Sequence, residues 1–300
     1  FITAPNISIL FSEIIVIWII SFWESLNCPK KFNLIELGAG NGEMMRVIVN
    51  TLNNFPQFQN SCNIKILEKS KLLKKKQKKI INNQKVKWLN NLNELNNLPC
   101  IFIANEFFDA LPIKQFIKKK NKWHERYVKF TVKKKPIFCD IPFDIQKLEK
   151  KINFKISSKQ KFIEYSPLAL KFLKNITNKI KVNNGGILII DYGYVEKQMK
   201  DTLQAISKHK YTNVLTGFGN ADITYNLSFN LIGQMIRKFG SFFQSIATQK
   251  EFLTRLQILK RAEMLSKNIP FIKKVDIYYR VKRLIDEKQM GNLFKVMFVT

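Results

Sequence analysis

The 300-residue chain predicts an α/β fold: a parallel sheet with crossover helices, carrying antiparallel β and helical insertions. Three observations predict it. Short apolar runs alternate with helical patterns through the first third of the chain. Each of those runs ends on a polar or acidic residue. From Ile113 the pattern changes to apolar/polar alternation around lysine-rich turns, the mark of antiparallel ribbon.

The first element is helical. "ISILFSEIIVIWIISFW", Ile7 to Trp23, is about as long as the shortest spanning helices, but Glu13 interrupts it. It has no basic leading segment and no small-residue cleavage site, so it is not read as a signal peptide. A core helix is expected and no membrane span. The chain opens on Phe1 rather than Met, and further amino-terminal residues are expected to precede it.

Asn33-Leu34-Ile35 then reads as a buried strand. The stretch "LIELGAGNGEMM", Leu34 to Met45, follows, with Gly38, Gly40 and Gly42 between that strand and a helical stripe of Met44, Met45, Val47, Ile48 and Leu52. Glycines on a strand-to-helix turn let the backbone approach a ligand closely. A dinucleotide fingerprint would need a third glycine at position 43, where Glu43 stands. Glu36, at the strand's carboxyl end, would repel a pyrophosphate. It suits a ligand with an amino group and a positive centre, and S-adenosylmethionine has both. "NIKILEKS" is the next strand. Glu68 at its end is placed to accept the two ribose hydroxyls, as the equivalent acid does in dinucleotide folds. The competing reading is an ordinary tight turn beside an unrelated surface glutamate.

Lys69 to Lys79 contains Leu72 and Leu73, then reaches Ile80 and Ile81, and reads as a helix with a solvated lysine face. "KVKWL" is a third strand. Ile101 to Ala104 is a fourth, bounded by Pro99 and by Asn105-Glu106. Ligands in parallel sheets lie beyond the carboxyl ends of the strands. Glu36, Glu68 and Asn105-Glu106 all fall at such ends, and Asn105 joins the cofactor-binding set. Antiparallel ribbon is expected from Ile113 to about Phe143. "SPLALKFLKNITNKI" is a helix with Ser166 as cap and Pro167 at its first position. "NNGGILIIDYG" is a buried strand ending at Asp191. Residues 201–270 mix short strands with helices, and "LFKVMFVT" is the last strand.

Composition excludes some partners. Lys+Arg total 51 against Asp+Glu 22, a net charge of +29, which would suggest nucleic acid. Only seven of those 51 are Arg, and Lys, Asn, Ile and Phe crowd the chain. All are written with A/T-rich codons, so genome drift accounts for the charge and nucleic acid is not the expected partner. Cys28, Cys62, Cys100 and Cys139 form no C-x-x-C pair, which argues against zinc and a disulfide framework. His124 and His209 cannot form a metal site without carboxylates, and no metal is expected.

The motifs "ELGAGNG", "ANEFFDALPIKQF", "WHERYV", "EYSP", "IDYG", "DTLQAISKH", "ADITYNLSF", "TQKEFL" and "MGNLFKV" occur in that order over essentially the whole chain. In this the sequence resembles the MidA-like family, to which the mitochondrial complex I assembly factor with protein arginine methyltransferase activity belongs. "FITAP" looks like that family's amino-terminal Gly-Asp-Phe-x-Thr motif. The resemblance implies a Rossmann-like class I methyltransferase fold and S-adenosylmethionine as donor. For mitochondrial members it implies symmetric dimethylation of an arginine in a complex I subunit. The chain departs from the family at Ala39, where Pro is usual, and at Thr224-Tyr225-Asn226-Leu227, where Thr-Ala-His-Val is common.

One methyltransferase domain is expected over 1–300. Its donor-binding core spans about 30–110 and 160–195 with 285–300, and insertions at about 111–155 and 200–275 form a substrate cap. A guanidinium substrate needs carboxylate partners, and Glu106 and Asp109, just past the fourth strand, are the candidates for that catalytic clamp. The alternative is that Asp109 caps a turn before Pro112 while Glu106 bonds backbone amides. The protein substrate is expected to be a complex I subunit, in the matrix if the source is eukaryotic, whereas an A/T-rich bacterium would place the protein in the cytoplasm. A non-catalytic assembly factor with a retained fold is the rival reading. A nucleic-acid methyltransferase is a third, but the Asn/Asp-Pro-Pro-aromatic run is missing after the fourth strand.

Overall fold

The computed structural model describes residues 3–207, 210–216, 219–240 and 242–300. His209, and Phe1 and Ile2 of the "FITAP" motif, lie outside the described residues.

In chain order the first half runs α1 (Ala4–Ile7), α2 (Ile9–Ser25), β1 (Phe32–Leu37), α3 (Glu43–Leu52), α4 (Pro56–Ser61), β2 (Cys62–Leu67), α5 (Lys71–Ile81), β3 (Lys87–Leu89) and β4 (Cys100–Asn105). There follow β5 (Lys114–Lys119), β6 (Lys122–Phe130), β7 (Pro136–Pro142), α6 (Ile145–Ile152), β8 (Phe162–Tyr165), α7 (Pro167–Asn183) and β9 (Gly185–Tyr194). The remainder is β10 (Gln204–Ser207), β11 (Lys210–Thr212), β12 (Asp222–Thr224), β13 (Leu227–Ser228), α8 (Phe229–Phe239), β14 (Gln244–Thr248), α9 (Gln249–Arg255), α10 (Ile258–Ser266), α11 (Phe271–Ile285), α12 (Met290–Leu293) and β15 (Phe294–Val299).

The chain divides into two compact units. One comprises residues 2–107, 175–191 and 240–300. Its sheet has the strand order β14-β15-β9-β4-β1-β2-β3. β1 lies parallel to both β2 and β4, and β4 is parallel to β9, so the central strands share one carboxyl edge. All six residues of β1 and of β4 are buried, as strands covered on both faces must be. β14 is antiparallel to β15 and closes one side.

Three boundaries differ from the sequence reading, each for a local reason. The first helix breaks at Ser8, which is extended (φ −151°) while its hydroxyl accepts from Leu10 N at 3.3 Å, so α2 starts afresh behind a cap. The lysine helix begins at Lys71 because Ser70 caps it through Leu73 N. The strand through Asp191 continues to Tyr194, where Leu227 and Ser228 pair with Gly193 and Tyr194. α2 is a core helix, burying Leu10, Phe11, Ile14, Ile15, Val16, Ile19, Phe22 and Trp23. Its Trp18 and Phe22 pack edge-on against Phe298 of β15. Among the described residues no helix is long and apolar enough to cross a membrane.

The second unit comprises residues 108–174 and 192–239. It holds the sheet β7-β6-β5-β8 and the small sheet β11-β10-β12. β5, β6, β7 and β8 pair antiparallel, as the alternating pattern predicts. Its core gathers Phe116, Leu148, Ile152, Ile163, Tyr165, Leu231 and Met235. A buried polar bracket ties the return segment to the sheet. Gln115 Nε2 donates to Glu164 Oε2 at 2.6 Å and to Asp201 Oδ1 at 2.9 Å, and Thr202 N donates to Glu164 Oε1 at 3.3 Å. Burial lifts the Glu164 carboxyl above the usual carboxylate range. Arg126 Nη1 donates to Gln115 Oε1 at 3.3 Å and to Asp201 Oδ2 at 2.8 Å, so in this unit the quoted motifs "EYSP", "WHERYV" and the opening of "DTLQAISKH" meet at one place.

Candidate active site

The glycine turn sits where β1 ends. Gly38 N donates to Leu67 O at 3.0 Å, carrying the β1–β2 ladder one residue past the strand. Gly38, Gly40 and Gly42 have φ of 65°, 53° and 91°, a region that side chains other than glycine's rarely adopt. The three glycines serve different needs. A Cβ at Gly38 would strike Phe107 Cδ2 at 2.7 Å, and one at Gly42 would press on Gln77 Cα at 3.2 Å. A Cβ at Gly40 would meet nothing within 4 Å. Gly40 therefore borders open space, and a side chain there would intrude on whatever approaches the turn. Glu43, standing where a dinucleotide site would have its third glycine, is held by Arg46 Nε at 3.0 Å.

Glu36 lies just before the turn and is 3% exposed. Its Oε2 has no hydrogen-bond partner among the described residues. Burial pushes its carboxyl up to about 8, so it is held protonated at neutral pH. Asn105, the last residue of β4, is also buried, and its Oδ1 likewise has no partner among the described residues. A buried carboxyl oxygen and a buried amide oxygen without partners among those residues, at a sheet's carboxyl rim, fit a ligand that brings N–H groups and a positive charge, which would favour the ionised form of Glu36. The amino group and sulfonium of S-adenosylmethionine answer that description, and a pyrophosphate does not.

Glu68 follows β2 and is half-buried. Its Oε1 accepts from Ser70 N at 2.9 Å and its Oε2 from Gln77 Nε2 at 3.1 Å. A carboxylate has about four acceptor positions, so capacity for a diol remains. Gln77 is a residue the sequence reading missed. It is fully buried in the middle of the lysine helix. Its Nε2 donates to Gly40 O at 2.9 Å as well as to Glu68, and its Oε1 accepts from Trp88 Nε1 at 2.8 Å. One side chain thus ties the glycine turn, the acid and the third strand together. Its signal was present: Leu73, Gln77 and Ile81 are four residues apart, on one helix face. Asn41 was also missed. Its Oδ1 accepts from Glu43 N at 3.1 Å at the start of α3, and its Nδ2 donates to Asn6 Oδ1 at 2.8 Å.

Glu106 belongs to the same unit. Its backbone is left-handed (φ 49°), which costs a non-glycine residue about 1–2 kcal/mol. Its N–H donates to Ile190 O at 2.9 Å, so the β4–β9 ladder holds this conformation in place. Its Oε1 accepts from Ala4 N and Asn105 Nδ2, both at 3.4 Å. The segment "FITAP" therefore reaches Glu106, and one of the two bonds is of the backbone-amide kind.

Glu36, Gly38, Gly40, Gly42, Glu68, Asn105 and Glu106 all lie in one compact unit, and Asp109 lies in the other. Asp109 is 4% exposed, in a turn closed by Leu111 N donating to Phe108 O at 3.2 Å. Burial pushes its carboxyl up to about 6 against the pull of its own amide and that of Ala110. Among the described residues no group of His, Cys, Asp and Glu could hold a metal. His124 lies in β6 with Nδ1 3.2 Å from Lys122 O.

Residues 14–246 match the model of a family described as "putative S-adenosyl-L-methionine-dependent methyltransferase". The mitochondrial protein arginine methyltransferase NDUFAF7 of Xenopus laevis is 28% identical over 326 residues, covering 100% of this chain and 74% of the relative. Human NDUFAF7 is 26% identical over 330 residues, covering 98% and 72%. A Burkholderia thailandensis protein solved with S-adenosyl-homocysteine superposes with a TM-score of 0.82 at 22% identity, over 100% of this chain and 78% of that one. At that identity the likeness speaks for the fold.

Proposed function

The chain belongs to the S-adenosyl-L-methionine-dependent methyltransferase family, and from that premise we propose that it methylates arginine in a protein substrate. S-adenosylmethionine is its donor. The donor supplies a methyl carbon on a positively charged sulfur, ready for in-line displacement.

The chain's own residues supply position and electrostatics. Glu36 and Asn105 offer the buried acceptors for the donor's amino acid end. Glu68 offers its free lone pairs to the ribose, with Gln77 holding both the acid and the carbonyl of Gly40. Gly40 leaves the approach open. Glu106 and Asp109 are the carboxylates assigned to the guanidinium, whose planar fork calls for paired acidic partners. They would aim its nitrogen and stabilise charge that grows as the carbon–nitrogen bond forms. The observation that carries the donor assignment is the buried Glu36 carboxyl oxygen, without a partner among the described residues, at the head of a left-handed glycine turn.

Arginine is supported by the likeness to protein arginine methyltransferases along the whole chain. A respiratory complex I subunit is the substrate the MidA-like motifs point to, and a mitochondrial location goes with it if the source is eukaryotic. The unit built on β5–β8 is assigned to substrate recognition. Nucleic acid is not the proposed substrate, because Asn105 is followed by Glu106-Phe107-Phe108 and not by a Pro-Pro-aromatic run. The test is incubation with methyl-labelled S-adenosylmethionine and a cell extract, followed by hydrolysis of the labelled protein. Label recovered as methylarginine supports the proposal. Label in methyl-lysine, a nucleobase or a small molecule overturns the arginine assignment.

A further inference from the structure

Helix α11 is anchored by one end only. Val281 and Leu284, in its second half, are buried. Arg280 donates to Ile7 O at 3.0 Å and pairs with Asp276 at 2.8 Å. The first half stands out from the fold. Phe271 is 79% exposed, Ile272 74% and Tyr279 66%, with Val275 and Tyr278 also exposed. Scattered exposed apolar residues are ordinary, but these five are not scattered. Positions 271, 275 and 278, and positions 272, 275 and 279, repeat at three- and four-residue spacing. They form one stripe about 12 Å long on a single helix face. The surface along it is shallow and open, bordered by Ile272, Val275 and Tyr279 with Lys273 and Asp276.

The charges around the stripe are of one sign. Lys273, Lys274, Lys282 and Arg283 have no ion pair among the described residues, while the helix's only acid, Asp276, is committed to Arg280. An apolar stripe rimmed by free cations with no free anion matches an interfacial helix. Phenylalanine and isoleucine would enter the acyl boundary, tyrosine hydroxyls would stay at headgroup level, and lysines would meet lipid phosphates. A second copy of the chain fits less well. A two-fold interface presents the same patch from both sides, so each rim of cations would face another. We propose that the exposed face of α11 docks the protein on an anionic lipid surface, resting on it without spanning it.

The experiment is flotation of the full chain with vesicles of phosphatidylcholine alone and of phosphatidylcholine mixed with phosphatidylglycerol. The wild type is expected to float with the mixed vesicles only, and carbonate should release it. Phe271→Ser/Ile272→Ser/Tyr279→Ser should weaken vesicle binding at least about tenfold by removing the inserted groups. Lys273→Gln/Lys274→Gln/Lys282→Gln should weaken it comparably. Unchanged S-adenosylhomocysteine affinity would show each variant folded. Phe271→Ser alone, at the most exposed position, serves if the triple variant fails to fold. Three results would overturn the proposal: retention of the wild type by neither vesicle; flotation of the serine variants equal to the wild type's, which would assign binding to bulk charge; or loss of a dimer or a protein complex in the serine variants while no vesicle binds.

Discussion

Glu36→Gln should remove a specific pH dependence of stability. In the folded chain without donor this carboxyl has its pKa raised from 4.5 to about 8 by burial. Because the folded-state value lies above the unfolded one, the folded protein holds a proton that the unfolded chain has lost between those two values. Stability contributed by the group is full below the unfolded value and falls as pH rises toward 8, by about 1.4 kcal/mol per pH unit. Across the whole window that is about 5 kcal/mol, and between pH 6 and pH 8, where the slope eases as the folded carboxyl begins to ionise, about 2 kcal/mol. The upper interval is the better one to measure. Asp109, raised to about 6, titrates mainly below it. Glutamine keeps the shape and neutrality of the protonated acid, so any fixed cost of the substitution cancels when two pH values are compared. Urea unfolding of both proteins at pH 6 and pH 8, without donor, gives the four free energies. The wild type should lose about 2 kcal/mol more than Glu36→Gln over that interval. Equal losses would refute the claim that Glu36 is buried and protonated beside the glycine turn.

Gly40→Ala should cost about 1–2 kcal/mol of stability through its left-handed backbone, since its Cβ meets nothing, yet lower donor affinity at least about tenfold; calorimetric titration checks this, and unchanged affinity would place the donor elsewhere. Gln77→Leu strips the support of Gly40 O and Glu68 and strands Trp88 Nε1, so thermal unfolding should show a loss of about 1–3 kcal/mol and donor affinity should fall with it. Glu106→Gln should depress methyl transfer strongly while donor binding survives, and full activity would remove Glu106 from the clamp. Asp109→Asn should do the same as a clamp partner. As a turn cap it should lower stability and leave turnover per folded molecule intact.

Much of the fold was legible because its strands are short apolar runs punctuated by Pro99 and by polar residues at their carboxyl ends. The glycine turn could be read because glycine at alternate positions has few other uses. What was not legible depended on contacts distant in sequence. The extension of β9 to Tyr194 rests on pairing with Leu227 and Ser228, more than thirty residues later. The two-piece start of the chain rests on Ser8, a single polar residue inside an apolar run. Gln77 left a signal only in its spacing from Leu73 and Ile81, because the six lysines from Lys71 to Lys79 advertise a solvated helix and mask the one polar side chain that turns inward. Glu106 was found from its place after the strand, but its left-handed backbone had no signal in residue type, since glutamate is not a residue that favours it.

Donor binding at the turn from Glu36 to Gly42 precedes every other step, and isothermal titration calorimetry with S-adenosylhomocysteine reads it directly. In the free protein at pH 7, Glu36 is about nine-tenths protonated, given a pKa of about 8. An ammonium group arriving beside it favours the carboxylate and should expel that proton. Titrations at pH 7 in two buffers of different ionisation enthalpy should therefore show binding with release of close to one proton, and Glu36→Gln should bind more weakly with no such release. A folded wild type that binds neither donor nor demethylated product, or that binds with no proton released, would contradict the account.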